Sequence, residues 1–384
     1  MADPVIKHVS TIAELATAFN TSASAAWGRT IYIDNDLDFN NEGYYYHTGN
    51  FFFASWNSNS FENGSNRTID GGIYDENQIL QGNRKLTNIY MYPNSSLFQI
   101  TYSVSNADAT NSITIKNIDF EMILNQSSLL YLIYSPSSYK NGSTVITFEN
   151  CNFNMKIARS SNRAPFCDCD SSNGYAMNFR SQVKFINCTA NIEFCNKYVE
   201  TQNLFGVLTH LTGNSNYSYS GYSNVPLVFE SCEFRIRTNA SNQTINLAYV
   251  PSGGSGYYDS EAIVYVNNCA FFLNSDYNVN GTTCLYMTGS TSGRCYIFNS
   301  FFAAFAATPD GTIEADHKVK ICFSVSSTYK CLIQYSFYDK ERVTKYDPNN
   351  YGLVSGSSLY DLTTAECKSE SKLKQIGFLF ATET

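Results

Sequence analysis

Residues Thr144–Met155 read TVITFENCNFNM, and this stretch decides the fold. Apolar and polar residues alternate on both sides of Asn150, which is the period of a half-buried β-strand. The alternation slips at Asn150, because the apolar positions Phe148 and Cys151 are three residues apart instead of two. Asparagine enters the left-handed helical region at low cost. The stretch therefore predicts two strands joined by a sharp bend at Asn150.

The same pattern returns along most of the chain, at intervals of 31–44 residues. The bend position is filled by Asn117, Asn150, Asn187, Ser231, Asn268, Asn299 and Tyr335. The position after the bend is filled by Ile118, Cys151, Cys188, Cys232, Cys269, Ser300 and Ser336. An aromatic residue stands two positions further on in every copy except the one that carries Ala190. Units repeated at such a period are the signature of a solenoid.

A third apolar segment precedes each copy of the pattern, with the sequences LFQITYS, LLYLIYS, FCDCD, LFGVLTH, INLAYV, CLYMTG and ICFSVS. Three short strands per repeat predict an all-β chain, a single-stranded parallel β-helix whose rungs stack about 4.8 Å apart. Equivalent side chains would then form ladders of Asn, Cys and Phe inside one long core. The alternative is a β-sandwich in which the similarity between repeats is coincidental.

Composition limits the partners of the chain. Its 384 residues carry a net charge of −8 without any cluster of Lys or Arg, which argues against nucleic acid and against an anionic membrane surface. Hydrophobic residues make up 43% of the chain, enough for a continuous core. The first twenty residues lack the apolar segment of a secretory signal, and no run approaches the ~18 apolar residues of a membrane span.

Twelve cysteines raise the question of disulfides. Six of them fall on inward positions of the repeat, where a small hydrophobic side chain fits: Cys151, Cys188, Cys232, Cys269, Cys295 and Cys331. We interpret these as buried thiols. Stacked disulfides remain the alternative, because the rung spacing lies within their usual Cα range. Without a secretory signal, a reducing site of folding is expected.

The repeats divide the chain into one β-helix domain over residues 1–384. We expect its parts to be an N-terminal cap (1–29), first rungs with an aromatic-rich insertion (30–112), regular rungs (113–360) and a C-terminal cap (361–384). Thr30–Phe39 is predicted to be a first strand, and residues 40–66 an insertion. Ile376–Phe380 is predicted to be a final strand, so both ends are expected to be closed within this chain.

Capping boxes mark a helix near each end of the chain. Thr11 with Glu14 precedes the apolar segment Ile12–Phe19, and a second Thr-x-x-Glu pattern at residues 363–366 precedes Ala365–Gln375. An open solenoid end exposes core residues and unpaired strand edges, so it needs a cover. We therefore predict a capping helix at both ends.

Several short phrases resemble a known group of folds. VSTIAELATAF, YIDNDLDF, TIDGGIY, LTNIYM, SSLFQI and ITIKNIDF are similar to the opening of pectin-lyase-like right-handed parallel β-helices, in the adhesin-like branch with GLUG-type repeats. The resemblance implies a right-handed coil, and related helices occur in bacteriophage virion proteins. This chain departs from the branch at its Gly-Leu-Phe-Gly phrase, which survives only as Leu204–Gly206.

Asp168 and Asp170 are the candidate catalytic residues. Because Cys167 and Cys169 take the inward positions of FCDCD, the two carboxylates would point outward, about 6.5–7 Å apart. The resemblance implies that this third-strand face carries the carboxylates of β-helix polysaccharide lyases and hydrolases. Such a pair suits acid–base work on a glycosidic bond or a Ca²⁺ site. The interpretation we favour is two solvated carboxylates, with no catalytic role.

No metal site or cofactor is predicted. Asp34, Asp36 and Asp38 would share one face of a strand as a metal ladder, but the resemblance supplies a structural role for this segment. The four histidines show no ligand spacing, and the Cys-x-Cys pair has no second pair. Neither a phosphate-binding loop nor a dinucleotide fingerprint is present.

Two long connections form the candidate binding surface, Thr212–Asn224 and Ser252–Glu261. Among their Ser, Gly and Asn residues stand Tyr217, Tyr219, Tyr222, Tyr257 and Tyr258. This mixture is typical of adaptable recognition surfaces, since tyrosine supplies contact area at low entropic cost. Connections that leave the same corner of successive rungs would form one patch. The alternative is that they are tolerated insertions.

Three functions are compatible with these features. The first is a non-enzymatic structural protein of a bacteriophage virion, a capsid decoration or a fibre component, that assembles in the host cytoplasm. The second is a carbohydrate-active β-helix such as a tailspike-like depolymerase or lyase, and the third is a bacterial surface adhesin. The expected partners are other virion proteins, further copies of the chain, or a glycan or protein of the host surface.

Overall fold

The computed structural model describes residues 5–20, 29–44, 50–56, 66–102, 110–134, 143–159, 165–169, 181–195, 201–206, 227–238, 244–250, 262–275, 283–287, 294–306, 319–324, 330–346 and 358–378. The described strands form three parallel sheets, and each rung contributes one strand to each sheet in turn. This is the predicted all-β parallel β-helix.

Sheet A contains Val5–Val9, Arg29–Ile33, Asn66–Asp70, Thr110–Lys116, Ser143–Glu149, Ser181–Ile186, Leu227–Glu230, Ala262–Asn267, Arg294–Phe298 and Lys330–Gln334. Sheet B contains Leu37–Asp38, Leu80–Met91, Ile118–Asn125, Asn152–Arg159, Thr189–Phe194, Glu233–Thr238, Ala270–Ser275, Phe301–Ala306, Ser336–Asp339 and Leu359–Leu362, and Gly72–Tyr74 pairs antiparallel with the second of these. Sheet C contains Asn50–Trp56, Ser96–Tyr102, Ser128–Tyr134, Cys167–Cys169, Thr201–Gly206, Thr244–Val250, Thr283–Met287, Val319–Ser324 and Val343–Tyr346.

The register of the sheets is the one that the repeat predicts. Phe148 pairs with Phe185 in sheet A, and Phe120 pairs with Phe153 in sheet B. Their rings stack face to face, with centroids 5.0 and 5.3 Å apart. These side chains are at most 1% exposed, so the aromatic ladder forms the centre of the core.

The bend between sheets A and B has one backbone conformation throughout the regular rungs. All seven bend residues, from Asn117 to Tyr335, have φ between 50° and 58°. The N–H of Asn150 donates to the carbonyl of Ile186 at 2.9 Å, and the N–H of Asn187 donates to that of Glu230 at the same distance. Each bend is thus tied to the next rung, and the predicted left-handed conformation is confirmed.

The asparagine ladder, however, does not lie inside the core as predicted. Asn187, Asn268 and Asn299 are exposed, whereas Asn117 is buried and Asn150 is partly buried. The bend is a convex corner of the coil, so its side chains project away from the core.

The cysteine column is buried as predicted. Cys151, Cys188, Cys232 and Cys269 are at most 2% exposed, and the column continues through Ser300 and Ser336. The Cys232 Sγ lies 3.2 Å from the carbonyl oxygen of Phe185 in the preceding rung. No disulfide joins the nine cysteines whose thiols the structure describes.

The first rung differs from the expectation. Residues 30–39 form two strands, Arg29–Ile33 and Leu37–Asp38, because the chain turns from sheet A to sheet B at Asp34–Asp36. The expected insertion contains Asn50–Trp56, the first strand of sheet C, whose Phe52 pairs with Phe98 and is fully buried. Phe52, an aromatic residue of this segment, therefore belongs to the core.

The N-terminal helix α1, Ile12–Asn20, closes the core as predicted. The Thr11 Oγ1 accepts from the N–H of Glu14 at 3.2 Å, and the Glu14 carboxylate accepts from the N–H of Thr11 at 3.2 Å, which is a capping box. Phe19 is fully buried against Phe52 and Phe98. The buried guanidinium of Arg67 donates to the carbonyl of Phe19 at the end of the helix.

The C-terminal segment was expected to cap the end of the solenoid, but its helices pack on the outer face of sheet B. The capping box at Thr363 is present. The expected single helix is divided into α2 (Thr364–Cys367) and α3 (Glu370–Gln375). Ile376–Phe378, the described part of the expected final strand, is not a strand. Both helices pack on the outer face of sheet B, in a cluster separate from the main core: Ala270, Phe272, Phe301, Ala303, Leu362, Cys367, Leu373 and Phe378. The outward positions of these rungs are apolar and require this cover.

Candidate functional site

The acid pair proposed from the sequence is only partly described. Cys167 is 1% exposed and takes its predicted inward position, and the backbone of Asp168 pairs with that of Tyr131 in sheet C. The structure describes the backbone of Asp168 but not its side chain, and Asp170 lies outside the described residues. Their separation therefore stays a prediction.

The tyrosine-rich connections also lie outside the described residues, together with Tyr217, Tyr219, Tyr222, Tyr257 and Tyr258. The strands on either side of them are described. Residues 207–226 follow a strand of sheet C and precede one of sheet A, and so do residues 251–261. Both connections therefore belong to the corner between sheets C and A, as predicted, while their role in binding stays a prediction.

The aspartates of the first rung do not form a metal ladder. Asp34 and Asp36 lie in the turn, and only Asp38 lies in a strand. Asp34 contacts the ring of His8 at 2.9 Å, Asp36 accepts from the backbone of Lys85, and Asp38 accepts from the Asn88 amide. Across the part of the chain that the structure describes, no group of three metal-binding side chains comes together.

The structure reveals a buried polar network that the sequence did not suggest. Asp70 is 2% exposed at the end of its sheet A strand. Its carboxylate accepts from the Asn117 amide at 2.8 Å, the Tyr74 hydroxyl at 2.9 Å and the backbone of Gly72 at 2.9 Å, and it pairs with Lys116 at 3.0 Å. Burial raises the pKa of Asp70, but these bonds outweigh it and hold that pKa below its usual value.

This network fixes the arm formed by Gly72–Tyr74 and the start of Leu80–Met91. Glycine at position 71 allows the arm to lie close to the bend at Asn117, because a Cβ there would lie 2.6 Å from the carbonyl oxygen of Asn117. The polar side chains of this network therefore hold one arm against the next bend, a structural role.

An open groove lies on the outer face of sheet B, with a volume of about 480 Å³. It crosses four successive rungs and is lined by Glu121, Met122, Ile123, Asn154, Met155, Lys156, Asn191, Ile192, Glu193, Arg235, Ile236 and Arg237. Met122, Met155, Ile192 and Ile236 have their side chains in the core. The remaining members alternate with them, and all of these except Ile123 are polar or charged.

Hydrogen bonds run along the groove from rung to rung. Beside the groove, Asp119 accepts from the amides of Asn83 and Asn152, at 2.9 and 2.6 Å. Within the groove, the Asn191 amide donates to the Asn154 amide oxygen at 3.2 Å. These side chains are therefore ordered relative to each other.

The groove ends where the C-terminal helices begin to cover sheet B. Arg235 pairs with Glu233, and its guanidinium lies over the ring of Phe272 at 5.5 Å. Phe272 stacks with Phe305 at 6.1 Å, and the Lys368 ammonium lies over Phe305 at 5.3 Å. Cations therefore border this end of the groove.

The fold and the groove define a parallel β-helix protein with an ordered polar surface on one sheet. No family model matches the chain, and no curated protein matches it. None of the described helices has the length and apolar character that crossing a membrane would require.

Proposed function

We propose that this chain is a non-enzymatic structural protein of a bacteriophage virion, a capsid decoration or a head or tail fibre component. The observation that carries the proposal is the column of buried, unpaired thiols through Cys151, Cys188, Cys232 and Cys269. Unpaired thiols favour folding in a reducing compartment such as the host cytoplasm, where virion proteins assemble.

The polar groups of the described rungs support a structural role. Asp70 and Asp119 bind side chains of neighbouring rungs. Such bonds hold rungs in register, and a solenoid with continuous ladders is a stiff rod suited to a particle surface. Under this proposal the partners are other virion proteins or further copies of the chain, and the tyrosine-rich connections meet the host surface.

Two alternatives remain as proposals. A carbohydrate-active enzyme would use Asp168 and Asp170, and an Asp168→Asn/Asp170→Asn double variant would then lose glycan-cleaving activity. We expect that variant to fold and assemble like the wild type. A surface adhesin would instead be found on bacterial cells.

The decisive experiment is mass spectrometry of particles purified by density gradient from a lysate of the host. We expect peptides of this chain to co-purify with the particles at a constant ratio to the major capsid protein. Recovery only in the cell-envelope fraction would favour the adhesin. Release of reducing ends from host polysaccharide by the purified chain would favour the enzyme.

A further inference from the structure

We propose that copies of this chain associate head to tail, with the arm of one copy (residues 72–83) resting in a groove between the two C-terminal helices of the next. This helix groove lies between α2 and α3, has a volume of about 490 Å³ and has a mainly apolar lining. Its lining residues are Ala365, Glu366, Ser369, Ser371, Lys372 and Gln375. The inference goes beyond the virion assignment and does not depend on it.

The exposed large apolar side chains lie near the two ends of the coil. Among the side chains that the structure describes, these are Ile6, Ile79, Leu80, Tyr335 and Tyr360. None of them belongs to the described rungs between residues 110 and 306. Exposed apolar groups that cluster mark interaction sites, whereas singly scattered ones need no explanation. The distribution therefore favours a contact between coil ends.

The arm presents Ile79 and Leu80 in a fixed position. The two side chains are 59% and 37% exposed. The Asp75 carboxylate accepts from the N–H groups of Asn77 and Ile79 at 2.9 and 2.8 Å and from the Gln81 amide at 3.0 Å, which orders the tip. The Asp70 network holds the base of the arm. A tip that is already ordered loses little conformational entropy when it binds.

An exposed aromatic ring adjoins the C-terminal helices. Tyr360 is 47% exposed, and its ring packs against that of Phe337 with centroids 5.2 Å apart. Phe337 in turn packs against Phe378 of the helix cluster at 5.8 Å. An aliphatic tip that enters the helix groove would therefore bury apolar surface on both partners.

The arm and the helices belong to opposite ends of one sheet. The arm leads into the second strand of sheet B, whereas α2 and α3 pack on its last strands. In a second coil placed along the same axis, that second strand lies two steps of about 4.8 Å beyond the last, or roughly 10 Å. The arm spans about the same distance from Asn83 to Leu80, three residues of about 3.3 Å. Such a contact is heterologous and can continue from copy to copy.

Charge also favours this contact. The arm carries Asp75 and Glu76 without any lysine or arginine, whereas residues 364–375 carry three lysines and two glutamates. The two surfaces therefore have opposite net charge.

Direct pairing between the strand edges of two copies is disfavoured. Exposed charged or polar side chains stand on the first strand of sheet A, at Lys7 and His8, and on the last strand of sheet B, at Asp361. Such residues protect edge strands from pairing with another chain. The contact is therefore assigned to the arm and the helix groove.

The test is sedimentation velocity of the full chain over a broad range of concentrations. The arm variant is Ile79→Ser/Leu80→Ser, and its control is Ile6→Ser, which removes an exposed apolar side chain outside the arm. The groove variant is Ala365→Glu, which adds a negative charge to the helix groove. Its control is Asn154→Glu, which adds the same charge to an exposed position in the middle of sheet B.

We expect the wild type and both controls to form oligomers that lengthen with concentration. The arm variant should raise the dissociation constant by about ten- to hundredfold, since it removes roughly one apolar side chain's worth of burial. The groove variant should weaken association as well, because its added glutamate faces the acidic arm. A mixture of the two variants should form a dimer that grows no further, since each retains the half that the other has lost.

A wild type that stays monomeric at every concentration would overturn the proposal, and so would an arm variant that associates like the Ile6→Ser control. A groove variant that associates like Asn154→Glu would assign the contact to another surface. Absence of the mixed dimer would exclude a heterologous contact. Circular dichroism verifies that each variant folds, and Ser371→Glu, in the first turn of α3, replaces Ala365→Glu if that variant does not.

Discussion

The side-chain amide of Asn150 donates a hydrogen bond of 2.8 Å to the amide oxygen of Asn117, the bend residue of the preceding rung. Both residues have positive φ, 51° and 58°. The bond joins two consecutive corners of the coil, and it is possible only because both corners adopt the same left-handed conformation. The left-handed backbone of these two bends therefore places their asparagine side chains where they can hydrogen-bond to each other.

Replacing Asn150 with valine should lower the free energy of unfolding by roughly 1–2 kcal/mol, the cost of placing a β-branched residue in the left-handed region. Chemical denaturation would measure this. Asn154→Val is the control, because Asn154 is an exposed residue of a regular strand in the same rung, and it should change stability little. Equal effects of the two substitutions would contradict the role of the bend.

Alkylation should separate the cysteines by burial. Among the nine thiols that the structure describes, that of Cys195, which is exposed, should react first under native conditions. Cys151 and Cys232 should be protected, because they are buried and burial also raises the pKa of their thiols. After denaturation, intact mass should reveal twelve alkylated thiols. A mass that corresponds to disulfides would contradict the reducing compartment and favour an exported protein.

Asp70→Asn should lower stability in a pH-dependent manner. The hydrogen bonds to Asp70 hold its pKa below the ordinary value of 3.8, so its ionised form stabilises the folded protein above about pH 4. That contribution is lost as the pH falls through the folded pKa. The loss of charged hydrogen bonds should cost about 1.5–3 kcal/mol at pH 7, and the difference from the wild type should shrink below pH 4.

Urea unfolding between pH 3 and pH 7 would measure this dependence. Glu149→Gln removes an exposed carboxylate from another strand of sheet A, two rungs from Asp70, and should cost little at any pH. A constant difference between Asp70→Asn and the wild type over this range would argue against an ionised Asp70.

Leu373→Ala should loosen the C-terminal helices without loosening the core. Leu373 is fully buried, and a Leu→Ala cavity costs about 2–5 kcal/mol. Because its cluster is separate from the main core, the loss should appear locally. Hydrogen exchange should accelerate in residues 359–378 and stay unchanged in residues 143–159. Lys374→Ala, on the exposed side of α3, should leave both regions unchanged.

The register of the sheets could be predicted residue by residue. The two-residue period of the strands and the left-handed bend together permit only one alignment of neighbouring repeats. Phe120 opposite Phe153 follows from the sequence alone. The first rung was predicted less well, since its bend at Asp34–Asp36 and its strand Asn50–Trp56 do not carry the Asn-Cys phrase.

The groove could have been found from a signal already in the sequence. Its outward side chains occupy the fourth and sixth positions after the bend residue in four consecutive copies, and all of these positions except Ile123 are polar. In the copy with Phe271, the flanking outward residues Ala270 and Phe272 are apolar as well. A strand that is apolar on both faces predicts a cover on its outer face, which here is the pair of C-terminal helices.

The sequence by itself determined the solenoid, its register, the left-handed bends and the buried thiols, because each depends on contacts between equivalent positions of neighbouring repeats. Only the tertiary structure decided where the C-terminal helices pack and how Asp70 gathers its four partners. These features join residues that are not equivalent in the repeat, such as Asp70 with Tyr74 and Asp339 with Thr364. Periodicity carries no information about such contacts, and they appear only when the chain is folded in three dimensions.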